Sequence, residues 1–401
     1  MRLFSRFIPV VLAGALAAIA ACGDSTGSGP QAASVTGVAG DSQTAPTGAT
    51  LAFPLSLVAL GSGGQPAQGV HVTWSVTPGG AALFNPPSST TDVNGVASTT
   101  ASLGSFVGSI TIHAAVPGVA DVLYHATALD PCTYLAPYTF GQTINAALAP
   151  GDCNYLNAGW FYDFYPVDLP VGQQSIRIRM SSGTFDTWVD FFSAAGPLFG
   201  FDDDEVLGQV QNSQLDIILP GGSYVIGANS FDQLTTGAYT LSTETRPAAM
   251  NGCRQVWVAR GVTVNDSLTA ADCADSAVTP HNYDVARIQL VQGTVLTIAE
   301  HSTAINPSLA LYRVTDLTNY ARSLVAQNDD SSAGNQAAFI QFTVAVTGPY
   351  DIVIGSSAGG ETGAYTFDVS ASTTLSPRTA APIVRGRTRW GDLGLPRRAK
   401  H

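Results

Sequence analysis

The sequence predicts an all-β chain of three consecutive β-sandwich domains, from its composition, the period of its apolar residues and an internal repeat. Only 11% of the 401 residues are charged, while Gly numbers 41 and Pro 23, which suits sheets joined by many turns better than charged amphipathic helices. Apolar residues alternate with polar ones in short runs bounded by turn residues, and no segment sustains a 3.6-residue period with caps. The five residues Thr236-Gly237-Ala238-Tyr239-Thr240 return as Thr362-Gly363-Ala364-Tyr365-Thr366, each after a strand-like run. Cys132 and Cys153 are matched by Cys253 and Cys273, so a whole unit is duplicated. The spacing far exceeds that of solenoid repeats, and each copy is expected to fold around its own core. The cysteines are offset by 121 and 120 residues and the later motif by 126, which places a small insertion within the second copy.

Residues 1–21 carry Arg2 and Arg6 and then an apolar run ending in small residues, the pattern of a secretory signal. Ile19-Ala20-Ala21-Cys22 resembles the lipobox of bacterial lipoproteins. That resemblance implies lipidation of Cys22, with a lipid bilayer as partner; an ordinary signal peptide with an unrelated cysteine is the alternative. Residues 22–32, rich in Gly and Ser, read as a flexible spacer. In lipoprotein families Asp directly after the cysteine goes with inner-membrane retention. Here Gly23 follows, which implies the outer membrane or cell surface.

With Cys22 used by the lipobox, the other four cysteines fall as one pair in each copy. Export to an oxidising compartment predicts disulfides Cys132–Cys153 and Cys253–Cys273. Each loop of about 20 residues contributes roughly 3 kcal/mol in the chain-entropy account.

In residues 33–129 the run Val70-His71-Val72-Thr73-Trp74-Ser75-Val76 alternates with period two, placing Val70, Val72, Trp74 and Val76 on one face. Ser109 to Ala114 alternates likewise, and Asp92-Val93-Asn94-Gly95-Val96 carries an Asn-Gly turn signal. These runs, with Thr91 to Ala97 and Leu103-Gly104, resemble the bacterial Ig-like domains of invasin- and intimin-type surface proteins. The resemblance implies a stalk. His71 and His113 fall on polar faces and read as solvated.

The duplicated units span residues 130–246 and 247–372. Ser175 to Met180 and Leu215 to Leu219 in the first, and Thr294 to Ile298 and Phe339 to Val344 in the second, are strand-like runs. Tyr162-Asp163-Phe164, Phe185-Asp186-Thr187-Trp188, Asp202-Asp203-Asp204, Gly222 to Ile226 and the Thr236 motif resemble the bacterial pre-peptidase C-terminal domain. The second copy keeps Tyr283-Asp284-Val285, Asn328-Asp329-Asp330, Gly348-Pro349-Tyr350 and the final motif, but has Ile305-Asn306-Pro307 in place of Phe185-Asp186-Thr187. The resemblance implies jelly-roll-like sandwiches appended to secreted peptidases and other exported proteins, some binding calcium and some collagen.

Asp186, Asp190, Asp202, Asp203 and Asp204 form the densest acidic constellation, and clustered carboxylates on neighbouring loops suit calcium. The other reading is a solvated turn whose Asp side chains bond nearby backbone N–H groups. In the second copy Asn328, Asp329 and Asp330 form a weaker set, and Asn306 and Ala310 stand where Asp186 and Asp190 stand in the first. Calcium is therefore expected to bind the first copy more tightly. The aromatics of the first copy, Trp160 through Phe201, read mainly as core. An exposed subset would suit stacking on sugar rings.

Gly355-Ser356-Ser357-Ala358-Gly359 spells G-x-S-x-G, but that device needs a following helix, and another strand is predicted instead. No Walker loop, H-E-x-x-H motif or dinucleotide fingerprint occurs, and the chain reads as non-enzymatic. No Lys or Arg lies between Phe7 and Ser175, which excludes a nucleic-acid footprint on the body. The basic segment 373–401 reads as a disordered tail. The expected whole is a lipid-anchored surface protein whose tandem sandwiches bind an extracellular polysaccharide or protein. The alternative is an accessory or inhibitory module for a secreted peptidase.

Overall fold

In the computed structural model residues 30–154, 159–194, 198–202, 211–250, 255–316, 321–329 and 337–373 are described, and every regular element among them is a strand. The leading module comprises β1 (Ser34–Ala39), β2 (Gln43–Pro46), β3 (Leu55–Leu60), β4 (His71–Thr77), β5 (Ala82–Asn85), β6 (Ser88–Thr90), β7 (Val96–Leu103), β8 (Gly108–Ala115) and β9 (Val122–Leu129). They form two facing sheets, β1-β3-β7-β5 and β2-β9-β8-β4-β6. The period-two face of β4 is inward as the sequence predicts: Val70, Val72 and Trp74 are buried, and His71 is exposed. Trp74 packs 6.0 Å from the Tyr124 ring, and the Tyr124 hydroxyl donates across the sandwich to the Ser56 carbonyl at 2.6 Å. The Asn-Gly signal also holds, because Gly95 has φ 73° and Asp92 Oδ1 accepts the N–H groups of Asn94 and Val96 at 2.9 and 2.8 Å.

The first copy comprises β10 (Thr143–Leu148), β11 (Cys153–Asn154), β12 (Phe161–Ser181), β13 (Thr187–Ser193), β14 (Leu198–Asp202), β15 (Ser213–Ser230) and β16 (Gly237–Thr245). The 21-residue β12 and 18-residue β15 pair along nearly their whole lengths but bend from one sheet of the sandwich into the other. The bend falls at Pro170-Val171-Gly172 against Pro220-Gly221, where the register shifts between Leu169 and Gln173. A side chain at Gly221 could not fit, since its Cβ would lie 1.8 Å from the Pro170 carbonyl oxygen. Beyond the bend one layer is β10-β16-β12-β15, and before it the other is β12-β15-β13-β14.

The second copy comprises β17 (Val256–Val258), β18 (Val262–Leu268), β19 (Cys273–Ala274), β20 (Asn282–Leu290), β21 (Thr294–His301), β22 (Pro307–Asp316), β23 (Ala321–Asn328), β24 (Ala337–Thr343), β25 (Gly348–Ser356) and β26 (Gly363–Thr373). Its layers are β18-β26-β21-β24 and β20-β25-β22-β23, the same arrangement with the bent hairpin broken into four strands. The inserted residues fall in the β22–β23 hairpin. Leu309 pairs Asn328 there as Val189 pairs Asp202 in the first copy, offsets of 120 and 126.

The two copies do not have the separate cores expected from their period. Val256–Val258 pairs in parallel with Ile217 and Ile218 of β15 on one side and with Ala286 and Arg287 of β20 on the other, so one sheet runs through both copies. A single cluster of buried side chains extends from Leu148 to Val369, and the leading module has its own. The physical reason is that an edge strand offers unpaired N–H and C=O groups, and β17 satisfies two edges at once.

Candidate functional site

The acidic constellation of the first copy is divided by the sheet that carries it. Cross-strand partners share a face, and Asp190 pairs Phe201 while Asp202 pairs Val189, so the two carboxylates point to opposite faces. Asp190 is buried, and its carboxylate accepts from the Tyr162 hydroxyl and Trp188 Nε1 at 2.9 Å each and from Asn229 Nδ2 at 3.3 Å. Asp202 Oδ2 accepts the Gln214 backbone N–H at 2.7 Å, fastening the end of β14 to β15. Asn328 does the same in the second copy, its Oδ1 accepting the Phe339 N–H at 2.9 Å. Asp186 sits half-buried in the turn before β13, where its carbonyl accepts the Phe231 N–H at 2.9 Å. Asp203, Asp204 and Asp330 lie outside the described residues, and Asp329 is exposed. Among the described residues no three His, Cys, Asp or Glu side chains converge as metal ligands would.

Cys132 and Cys153 are joined by a disulfide, and Cys273 is in one as well; Cys253, its expected partner, lies outside the described residues, as does Cys22. The aromatics of the first copy are core. Tyr162 stacks on Phe164 and Trp188 on Phe201 at 5.4 and 5.3 Å, and only Trp160 and Phe199 of the group are half-buried. Ser357 lies in the turn between β25 and β26, with no helix behind it.

The repeated five residues organise a feature common to both copies. Each enters the closing strand, β16 or β26, and each tyrosine turns into the core, where its hydroxyl donates to a carboxylate, half-buried in the first copy and fully buried in the second: Tyr239 to Asp163 at 2.6 Å and Tyr365 to Asp284 at 2.8 Å. Burial pushes the Asp163 carboxyl up to about 6 and that of Asp284 up to about 8, the tyrosine hydrogen bond opposing the rise in both. Beside each strand lies a shallow open cleft, of 570 Å³ in the first copy and 700 Å³ in the second.

The two clefts are built alike. In one, the Thr240 hydroxyl donates to Asn145 Oδ1 and the Ser182 hydroxyl to the Ala238 carbonyl, at 3.0 and 2.8 Å. In the other, Thr366 donates to Asn265 and Ser302 to Ala364, at 3.0 and 2.7 Å. They differ where Ser181 of the first is replaced by the exposed His301 of the second. The second also holds Asp266, whose carboxyl is raised by burial. Sequence reasoning fixed on the five repeated letters and missed Asn145, Ser182 and their counterparts. Their signal was recurrence at an offset of 120, as single residues without neighbouring identity. Hydroxyls and amides set within a mainly apolar lining offer both donors and acceptors at the surface, the chemistry that recognises the hydroxyls and apolar faces of sugar rings or an extended peptide.

No protein-family model matches the chain, and no curated protein matches it. Similar solved structures include the pre-peptidase C-terminal domain of a collagenase from Bacillus anthracis, with 14% identity, 28% of this chain and 95% of that chain covered, and a TM-score of 0.23. Also similar are the D0–D1 domain of intimin, with 14% identity, 53% and 91% covered and a TM-score of 0.21, and invasin, a bacterial integrin-binding protein, with 12% identity, 81% and 55% covered and a TM-score of 0.20. These are the groups that the sequence motifs resemble.

Proposed function

We propose that this chain is a non-catalytic binding protein of the bacterial surface, held by lipid at Cys22, with the leading sandwich as a stalk and the tandem copies binding an extracellular polymer. The observation that carries the reading is the occurrence of two clefts at matching places, each with the same Asn, Ser, Tyr and Thr beside the closing strand. A repeating ligand such as a polysaccharide or a fibrous protein presents the same group many times, so two alike sites on one chain gain avidity where both can engage. Neither cleft holds an activated nucleophile, and the shallow openings suit a chain passing across the surface better than an enclosed small molecule.

The test is an array of polysaccharides and matrix proteins probed with the exported chain, with and without calcium. Asn145 and Asn265 are exposed at the clefts, so Asn145→Ala and Asn265→Ala should each weaken binding severalfold, and the double variant by far more than either. Chelating calcium should leave retention unchanged, since the oxygens of Asp190 are taken by Tyr162, Trp188 and Asn229. Binding by the double variant equal to the unmodified chain would remove the clefts from the account. Retention of a peptidase and of no polymer would favour the accessory-module alternative.

A further inference from the structure

The first copy is closed at one edge by the second, and among the described residues no strand pairs with the matching edge of the second copy. Trp257 of β17 lies 5.1 Å from the Phe201 ring, and the Arg287 guanidinium lies over the Trp257 ring at 5.8 Å. Ala259 adds a backbone bond to the Ile218 carbonyl at 2.8 Å. Beneath this cover Leu198 is 7% and Gln214 5% exposed. The registers carry these positions across: Tyr312 pairs Leu324 as Phe192 pairs Leu198, each just past a register shift, and Glu300 pairs Ala338 as Met180 pairs Ser213. Leu324 therefore holds the place of Leu198, Ala326 that of Gly200, and Phe339 that of Gln214. Yet Leu324 is 48% and Phe339 44% exposed. β24 ends its sheet, and among the described residues no strand lies on its outer edge.

The chain itself supplies a matching segment. Trp257 lies 18 residues after Tyr239, and the residue 18 after Tyr365 is Ile383, within Pro382-Ile383-Val384. Arg385-Gly386 follows, as Arg260-Gly261 follows Val258-Ala259. The side chains are complementary as well. A Cβ at Gly200 would fall 2.8 Å from the Trp257 ring, so glycine there goes with tryptophan above it. In the second copy alanine stands at 326 and the smaller isoleucine at 383. Charge favours the same partner. Residues 22–377 carry 28 acids against 8 arginines, and residues 378–401 carry six arginines and Lys400 against Asp392 alone.

We propose that residues 382–384 add as a short parallel strand to the outer edge of β24, over Leu324 and Phe339, taking in the second copy the place that β17 takes in the first. The addition is strand augmentation in cis: backbone hydrogen bonds hold it, and Ile383 and Val384 cover the apolar edge. The tether keeps the local concentration of the segment high, and the edge is withheld from other strands.

Hydrogen exchange on the full chain tests this. The amides of residues 383 and 385, the counterparts of Trp257 and Ala259 on the bonded side of β17, should exchange at least about tenfold more slowly than those of residues 397–400, and Ile383→Asp should abolish that protection without unfolding the body. Exchange of residues 383 and 385 at the rate of the chain end overturns the proposal. A second measurement uses Thr343→Cys with Val384→Cys, the counterparts of the paired Ile218 and Val258. A linkage from 343 to 384 within one monomer supports the proposal. A linkage between two chains, or none, overturns it, the first by giving the edge to a second copy.

Discussion

Met180 and Glu300 occupy the same inward position of the two copies, and the exchange of a thioether for a carboxyl gives the second copy a pH dependence. Glu300 is fully buried, and the backbone N–H groups of Ser308 and Gly355 face it without closing good hydrogen bonds. Burial first, with the Asp284 carboxyl adding to it, pushes Glu300 up to about 9. In the unfolded chain such a group titrates near about 4.3. Between those values the folded state holds the proton and the unfolded state has lost it, so stability falls as pH rises through the window. Below it both states are protonated and the term vanishes. Asp284, raised to about 8, acts in the same direction. Glu300→Met, the residue the first copy already accepts, should therefore stabilise the tandem by about 1–4 kcal/mol at pH 9 and by much less at pH 4.5. Thermal melts at the two values check it, and an equal gain at both would mean that packing and not ionisation is responsible. None of this was legible in the sequence. A glutamate within Thr-Ile-Ala-Glu-His reads as an ordinary strand-end acid, and its burial comes from Phe367 and Ala338, its strand partners in register, 67 and 38 positions away.

Strands with one wet face were legible and strands with none were not. The alternation of Val70 to Val76 fixes which side of β4 is core before any partner is known, and the structure buries that side. Asp190 defeated the same logic because both faces of β13 are covered, and the donors that satisfy it come from β12, β13 itself and β15. β17 was illegible for a different reason: three residues have no measurable period, and their role as a splice depends on two edges elsewhere. The tight contact between Gly200 and the Trp257 ring makes the splice testable. Gly200→Ala should cost about 1–3 kcal/mol, because a methyl group there overlaps the ring. Trp257→Ile should itself destabilise by opening a cavity. Combined, the two should cost less than their sum by about 0.5–3 kcal/mol, since the smaller side chain leaves room for the methyl, as alanine at 326 already suggests. Urea titrations of the four proteins give the coupling, and additivity would show that the overlap is relieved by some other movement.

Across the whole molecule, the number of cooperative units differs from the number of sandwiches. Three sandwiches are present, but among the described residues the buried side chains form two clusters, one in the leading module and one spanning both copies. Cooperativity follows shared buried surface and shared hydrogen-bonded sheet, so the copies should unfold together and the leading module apart from them. Scanning calorimetry of the exported chain should then show two transitions, the larger with the enthalpy of roughly 230 residues at about 0.7 kcal/mol per residue near 60 °C. The joint depends on β17, where the buried Trp257 ring packs against the first copy through Gly200 and Phe201 and against the second through Arg287. Trp257→Ala removes that packing at a cost of about 3–5 kcal/mol, borne by the contact between the copies more than by either sandwich alone. The variant should split the larger transition into two while leaving that of the leading module in place. Three transitions in the unmodified chain would instead mean that each copy holds its own core, as the length of the repeat by itself suggests.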